Sequence, residues 1–129
     1  MTPAGPPSQD VTALLESALA LGDTMVIVRN GTAIAEVTGG PLRRGTEWLT
    51  LGDEGAGASH VHVKIADARG LRYREGTGRN AALDLVGRDG AVILSVTFRR
   101  TNPDRAEQFD AARLAAVQAR FGGLTGEPA

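Results

Sequence analysis

The chain has 129 residues, of which 42% are hydrophobic and 22% charged, with 14 basic against 15 acidic side chains and no cysteine. This balance predicts one soluble, cytoplasmic globular domain with no membrane span, no secretion signal and no nucleic-acid partner. The lack of cysteine excludes disulfides, thiolate zinc sites, iron–sulfur clusters and thiol nucleophiles.

The amino-terminal segment predicts a flexible arm followed by a short helix. Residues 1–9 are rich in proline, glycine and serine and show no apolar periodicity. Asp10 is a suitable helix N-cap, because apolar residues then recur at helical spacing up to Gly22. We therefore expect an amphipathic helix over residues 11–21, at the start of a single domain spanning residues 10–123.

From residue 24 onward the apolar residues alternate, which predicts strands. Runs 24–29 and 32–37 flank Asn30-Gly31, a dipeptide that favours a tight hairpin turn because both positions need positive φ. Residues 43–45 are expected to form a bend. Further strands are predicted at 47–51, 60–65, 71–75, 81–86 and 91–98. The last of these is apolar on both faces, as expected of a central strand.

After Asn102-Pro103, an apolar stripe predicts a helix over residues 104–121, with a flexible tail at 124–129. Short turns between strands favour antiparallel pairing, and helices confined to the two ends favour an α+β fold. We expect one large antiparallel sheet of about seven strands, flanked by an amino-terminal and a carboxy-terminal helix.

Both histidines of the chain lie on one predicted strand. Strict alternation places His60, His62 and Lys64 on the same face. The two imidazoles can share one metal ion, or one can bind the iron of a ligand, or both can be solvated surface groups. A three-histidine or cysteine-containing zinc site is excluded by composition.

Arginine supplies almost all of the positive charge, since Lys64 is the single lysine. Arg29 is predicted at a hairpin tip and Arg100 at a strand end, where each is either a partner for a carboxylate or a solvated charge. No phosphate-binding loop, nucleophile elbow or dinucleotide motif is present, and no carboxylate pair is spaced for acid–base catalysis. An enzyme active site is therefore not predicted.

Four stretches carry motifs that occur together in one family. They are an I-x-E segment followed by a proline turn at 34–41, an H-x-K strand at 61–64, a hairpin at 81–90 that ends in glycine, and Gln118 with Phe121 in the last helix. From about residue 22 to residue 121 the chain resembles haem-utilisation carriers of the HutX/ChuX type. These carriers are similar to each half of HemS-type haem-trafficking and haem-degrading proteins.

The resemblance implies a HemS/ChuX-like sheet, a homodimer, and haem held against the sheet by a histidine. Carried over by position, the ligand of the haem iron is His62, with His60 as its neighbour or alternative. Arg29 or Arg100 is then expected near the haem propionates. The resulting prediction is an intracellular, non-enzymatic haem-binding protein for haem trafficking or storage.

The chain also departs from the family pattern. The family's other histidine falls at Arg29, its strand lysine falls at Ser95, and most of its aromatic residues are replaced. Haem pockets gain affinity by burying the porphyrin between aromatic and aliphatic side chains. The alternative hypothesis is therefore a fold relative without haem that serves as an interaction or small-ligand-binding module. A histidine-based metal hydrolase or a haem-degrading oxygenase is the third.

Overall fold

The computed structural model describes residues 9–53 and 55–125. Its two helices there are α1 (Val11–Ala20) and α2 (Ala111–Phe121). Its eight strands within the same residues are β1 (Thr24–Arg29), β2 (Ile34–Thr38), β3 (Leu42–Arg44), β4 (Trp48–Gly52), β5 (His60–Lys64), β6 (Ala68–Arg74), β7 (Ala82–Gly87) and β8 (Val92–Phe98). A 3-10 turn, Ile65–Asp67, links β5 to β6.

The strands form two antiparallel sheets. The larger sheet has the order β2-β1-β8-β7-β6, and the smaller has the order β3-β4-β5. The predicted α+β class, the antiparallel pairing and the central position of β8 are confirmed. The expectation of one continuous sheet is wrong, because β3, β4 and β5 pair among themselves and leave the larger sheet with five strands.

The first hairpin has a longer turn than predicted. Arg29 pairs with Ile34, so four residues form the turn and β2 begins two residues later than expected. The cause is Asn30, whose side-chain oxygen accepts hydrogen bonds of 2.9 Å from the backbone N–H groups of Thr32 and Ala33. Such a local side-chain bond offers the backbone an alternative to the two-residue turn.

The predicted bend at 43–45 is mostly a strand. Leu42 pairs with Leu51 and Arg44 with Leu49, which makes β3 the edge of the small sheet. The turn follows at Gly45, whose N–H donates to the carbonyl oxygen of Trp48 at 2.8 Å. A three-residue strand is too short to show alternation, so sequence periodicity does not reveal it.

The first helix agrees with the sequence, and the second is shorter than predicted. Asp10 caps α1 by accepting a 3.0 Å hydrogen bond from the backbone N–H of Ala13. Helix α2 begins at Ala111 rather than at residue 104. Asp110 caps it there by accepting a 3.1 Å hydrogen bond from the backbone N–H of Arg113. The preceding residues form turns that start at the buried Asn102.

One apolar core lies between the two sheets and the helices. Phe98 of β8 stacks on Phe121 of α2 with ring centres 5.6 Å apart, and both rings are buried. The small sheet contributes Leu49, Leu51 and Val63 to the same core. Because strand residues alternate, each sheet turns its second face away from this core. These two outward faces carry the candidate sites.

The ends of the domain are hydrogen-bonded to β6. The Gln9 side chain donates to the carbonyl oxygen of Leu71, and the N–H of Tyr73 donates to the carbonyl oxygen of Leu124. Residues 1–8 and 126–129, which make up most of the predicted arm and tail, lie outside the described residues. The domain limits therefore stay a prediction. Within the described ranges, neither helix combines the length and hydropathy needed to cross a bilayer.

Candidate functional site

The outer face of the small sheet carries both histidines. In β5 the side chains of His60, His62 and Lys64 are exposed, whereas Val63 is buried in the core. The predicted alternation is therefore confirmed. Antiparallel pairing sets Thr50 of β4 opposite His62, and Trp48 opposite Lys64.

Each imidazole is oriented by one hydrogen bond at Nδ1. Nδ1 of His60 lies 3.1 Å from the carbonyl oxygen of Asp53, and Nδ1 of His62 lies 2.9 Å from Oγ1 of Thr50. A carbonyl oxygen can only accept, so Nδ1 of His60 is the donor in this bond, and the neutral form of the ring then has its lone pair on Nε2. Neither bond uses Nε2, which leaves that nitrogen of both rings available to a ligand.

An exposed aromatic ring lies on the same face of the small sheet as the histidines. Trp48 has 45% of its surface accessible, although tryptophan usually has most of its surface buried. Nζ of Lys64 lies 5.3 Å from the centre of the indole ring, within the range of a cation–π contact. The face thus presents a flat apolar surface next to an imidazole.

A cavity of about 610 Å³ opens on this face. It is lined by Arg43, Arg44, Gly45, Trp48, Thr50 and His62. Nη2 of Arg44 is 3.8 Å from a carboxylate oxygen of Glu16, and both side chains are more than half exposed. Such an exposed ion pair is weak, so Arg44 can turn toward an anionic ligand at little cost. An imidazole, an indole and a guanidinium therefore surround one space.

The other two sequence-predicted residues line a different cavity. Arg29 and Arg100 border a space of about 1280 Å³ on the outward face of the large sheet, and neither histidine is among the described residues that line it. Arg100 has a φ of 65° and forms a 3.0 Å ion pair with Asp23. The structure therefore places the two arginines along one cavity, near opposite ends of β1, and the two histidines side by side on the small sheet.

The large cavity contains a buried charge network that the sequence reasoning missed. Asp84 is only 3% exposed, and it accepts hydrogen bonds from Oγ of Ser95 at 2.6 Å and from Nε of Arg74 at 3.0 Å. Nη2 of Arg72 lies 3.6 Å from the same carboxylate. Burial by itself raises the pKa of Asp84, but the hydrogen bonds from Arg74 and Ser95 and the arginine charges outweigh it and lower that pKa. The sequence offered one signal for this network: in the predicted hairpin of β7 and β8, Asp84 lies opposite Ser95.

We expect Asp84→Asn to destabilise the protein by about 2 kcal/mol at neutral pH, because it removes a charge-assisted bond to partly buried arginines. A carboxyl whose pKa is lowered by folding stabilises the native state above its unfolded pKa, and this contribution is lost as the pH falls through the folded pKa. The difference from the wild type should therefore shrink below about pH 4. Urea unfolding at neutral and acidic pH measures it.

Asp67→Asn is the matched control, since Asp67 is exposed and substitution of an exposed carboxylate should change the free energy of unfolding by less than about 0.5 kcal/mol. Equal stability of Asp84→Asn and the wild type at neutral pH would show that the network contributes nothing to folding.

A second polar contact ties β6 to α2. The hydroxyl of Tyr73 donates to Glu75 at 2.6 Å, and Nε2 of Gln118 donates to the same carboxylate at 3.0 Å. Burial and the Glu75 carboxylate raise the pKa of Tyr73, whereas the hydrogen bonds from Tyr73 and Gln118 lower the pKa of Glu75. Tyr73 is therefore a neutral donor throughout the physiological range, which suits a structural role.

In the described part of the chain, no three or more His, Asp or Glu side chains come close enough to hold a metal ion together. Any metal bound by the protein itself at the histidine face would keep coordination positions open to water or to another ligand.

The fold and the sequence both have known relatives. The model of the family described as "Haem utilisation ChuX/HutX" matches residues 6–112. A comparison with curated protein sequences finds no match.

Among solved structures, a crystal structure of ChuX is 16% identical, with a TM-score of 0.61 over 87% of this chain and 70% of that chain. A protein from Erwinia carotovora is 18% identical, with a TM-score of 0.62 over 88% of this chain and 70% of that chain. A structure described as the heme-binding protein ChuX is 15% identical, with a TM-score of 0.57 over 86% of this chain and 75% of that chain.

Proposed function

Because the chain belongs to the ChuX/HutX family of haem utilisation, we propose that it binds haem as a cargo, for trafficking or storage in the cytoplasm, and does not transform it. The observation that carries the proposal is the cavity of the small sheet, where His62 stands beside the exposed ring of Trp48. The haem-binding relative of similar fold supports the same assignment.

The residues of this cavity suit a porphyrin. Haem is flat and apolar, with two carboxylates at one edge and an iron that accepts an imidazole nitrogen. His62 would supply that nitrogen from Nε2, because its Nδ1 is hydrogen-bonded to Thr50. Trp48 would cover part of the porphyrin face, and Arg44 would pair with a propionate. Thr50 would hold the imidazole ring in place.

We also propose that the chain is a homodimer in which Arg29 or Arg100 contacts a haem propionate across the subunit interface. Within one chain these arginines line the large cavity rather than the cavity of His62. The open face of the large sheet supports self-association, since two large apolar side chains there, Ile34 and Val92, are exposed. Light scattering after gel filtration should give twice the chain mass of 13.4 kDa. A monomer would contradict this part of the proposal.

The test of haem binding is a titration of the full chain with hemin, followed by the Soret band. We expect a saturable shift at one hemin per chain, because one His62 is present in each. A shift that grows without saturation would show non-specific adsorption of porphyrin and contradict the proposal.

The alternative is a small-ligand module without haem. It is favoured by one observation: among the described residues that line the cavity, Trp48 is the single phenylalanine, tyrosine or tryptophan. A saturable complex with one hemin per chain would eliminate this alternative, whereas a chain that ignores hemin would support it.

A further inference from the structure

We propose that His60 and His62 together chelate one divalent transition-metal ion, with Cu²⁺ bound most tightly. This metal site differs from the proposed haem site in its ligands. Haem binding needs one imidazole, whereas the metal site needs both. The two ligands compete for Nε2 of His62. The inference rests on the relative placement of the two rings, on their hydrogen bonds and on the composition of the chain.

The separation of the rings fits one shared ion. Both side chains lie on the exposed face of β5, and their ring centres are 4.7 Å apart at an interplanar angle of 67°. Metal–nitrogen bonds are about 2.0–2.1 Å long, so two imidazoles at right angles around one ion have ring centres about 4.5 Å apart. The observed separation of the ring centres therefore matches that expected for two imidazoles on one ion.

The hydrogen bonds at Nδ1 prepare both rings as ligands. Imidazoles that bind metals usually donate their other N–H to a carbonyl, carboxylate or similar acceptor, which fixes the tautomer and the ring orientation. The carbonyl oxygen of Asp53 does this for His60 at 3.1 Å, and the hydroxyl of Thr50 is placed to do it for His62 at 2.9 Å. Histidines that are merely solvated on the surface need no such hydrogen-bond acceptors, yet both of these histidines have one at Nδ1.

The donor set selects the metal. The described residues add no third His, Asp or Glu ligand, so water completes the coordination. Structural Zn²⁺ sites use four protein ligands, whereas Cu²⁺ and Ni²⁺ accept tetragonal sets of nitrogen and oxygen, and Cu²⁺ binds most tightly in the divalent series. The whole chain has two histidines and no cysteine, so imidazole or thiolate binding elsewhere cannot obscure the result.

The experiment is a titration of the haem-free full chain with CuCl₂, with electron paramagnetic resonance to count the nitrogen ligands. We expect one equivalent of Cu²⁺ and two imidazole nitrogens in the wild type. His60→Gln and His62→Gln should each weaken Cu²⁺ binding by at least about tenfold. Loss of a residue that only hydrogen-bonds to a metal ligand already weakens metal binding by about that factor. The double variant should be at least as weak as either single variant, because one remaining imidazole still binds Cu²⁺ as a single ligand. Thr50→Val should weaken binding less than the loss of a ligand does.

Lys64→Gln is the matched control. Lys64 shares the exposed face of β5, and removal of a positive charge does not weaken cation binding. The proposal is overturned if the double variant binds Cu²⁺ as tightly as the wild type, or if the wild type shows a single imidazole nitrogen.

Hemin binding separates this site from the haem site. His60→Gln should bind Cu²⁺ more weakly but keep the Soret shift, and preloading with Ni²⁺ should weaken hemin binding in the wild type more than in this variant. If no form of the chain binds hemin, the haem proposal fails while the copper result still decides the metal site.

Discussion

His62→Ala is expected to lower the affinity for hemin by at least about a hundredfold, because loss of a residue that only orients a metal ligand already costs about 10–100-fold. The saturable Soret shift should disappear at hemin concentrations that saturate the wild type. The physical reason is that, in the proposed site, Trp48 and Arg44 would hold a porphyrin by contact and charge, whereas the bond to iron would come from the imidazole. Absorbance titration measures the change.

His60→Ala is the matched control for this experiment. It removes an imidazole from the same strand face, 4.7 Å away, and should leave the Soret shift within about twofold of the wild type. Free imidazole added to the His62→Ala protein should restore part of the shift, which a folding defect would not permit. Equal hemin binding by both variants would contradict the assignment of His62.

Phe121→Ala is expected to reduce the free energy of unfolding by about 3–5 kcal/mol. The ring is 1% exposed and stacks on Phe98, so its removal leaves a cavity where α2 meets the large sheet. Domains of this kind are stabilised by only about 5–15 kcal/mol in total, so the loss is a large part of the whole. Urea unfolding followed by far-ultraviolet circular dichroism measures it.

Phe121→Leu keeps most of the apolar volume and should lose less than half as much stability. A change below about 1 kcal/mol in Phe121→Ala would show that α2 contributes little to the core. This helix does not form part of the histidine cavity, so a folded Phe121→Leu protein should bind hemin like the wild type.

The parts of the fold that depend on local patterning could be predicted from sequence. The Asp10 cap, the alternation around His62 and the central position of β8 follow from residue spacing, and all are present. The features that were not predicted depend on competition between alternative local hydrogen bonds or on pairing between strands that are distant in sequence. Asn30 lengthens its turn by capping it, and Asp110 starts a helix where an earlier proline offered another start.

The candidate site was predictable as a set of residue types but not as a location. Alternation placed the two histidines on one face, but the division of the strands into two sheets was not visible in the pattern. That division separates His62 from Arg29 and Arg100. It also brings Arg44 and Trp48 beside His62, because β3 and β4 pair with each other and β4 pairs with β5. The large sheet depends on the pairing of β1 with β8, which are distant in sequence. The alternation of apolar residues within one strand does not indicate which other strand it pairs with.

The small sheet is built entirely from consecutive chain, Leu42 to Lys64, whereas the large sheet joins β1 to β8 across most of the domain. Closure of short chain segments costs less entropy than closure of long ones, so the small sheet can form before β1 pairs with β8. The side chains of His62, Trp48 and Arg44 are therefore brought to one face by the part of the chain that is cheapest to close.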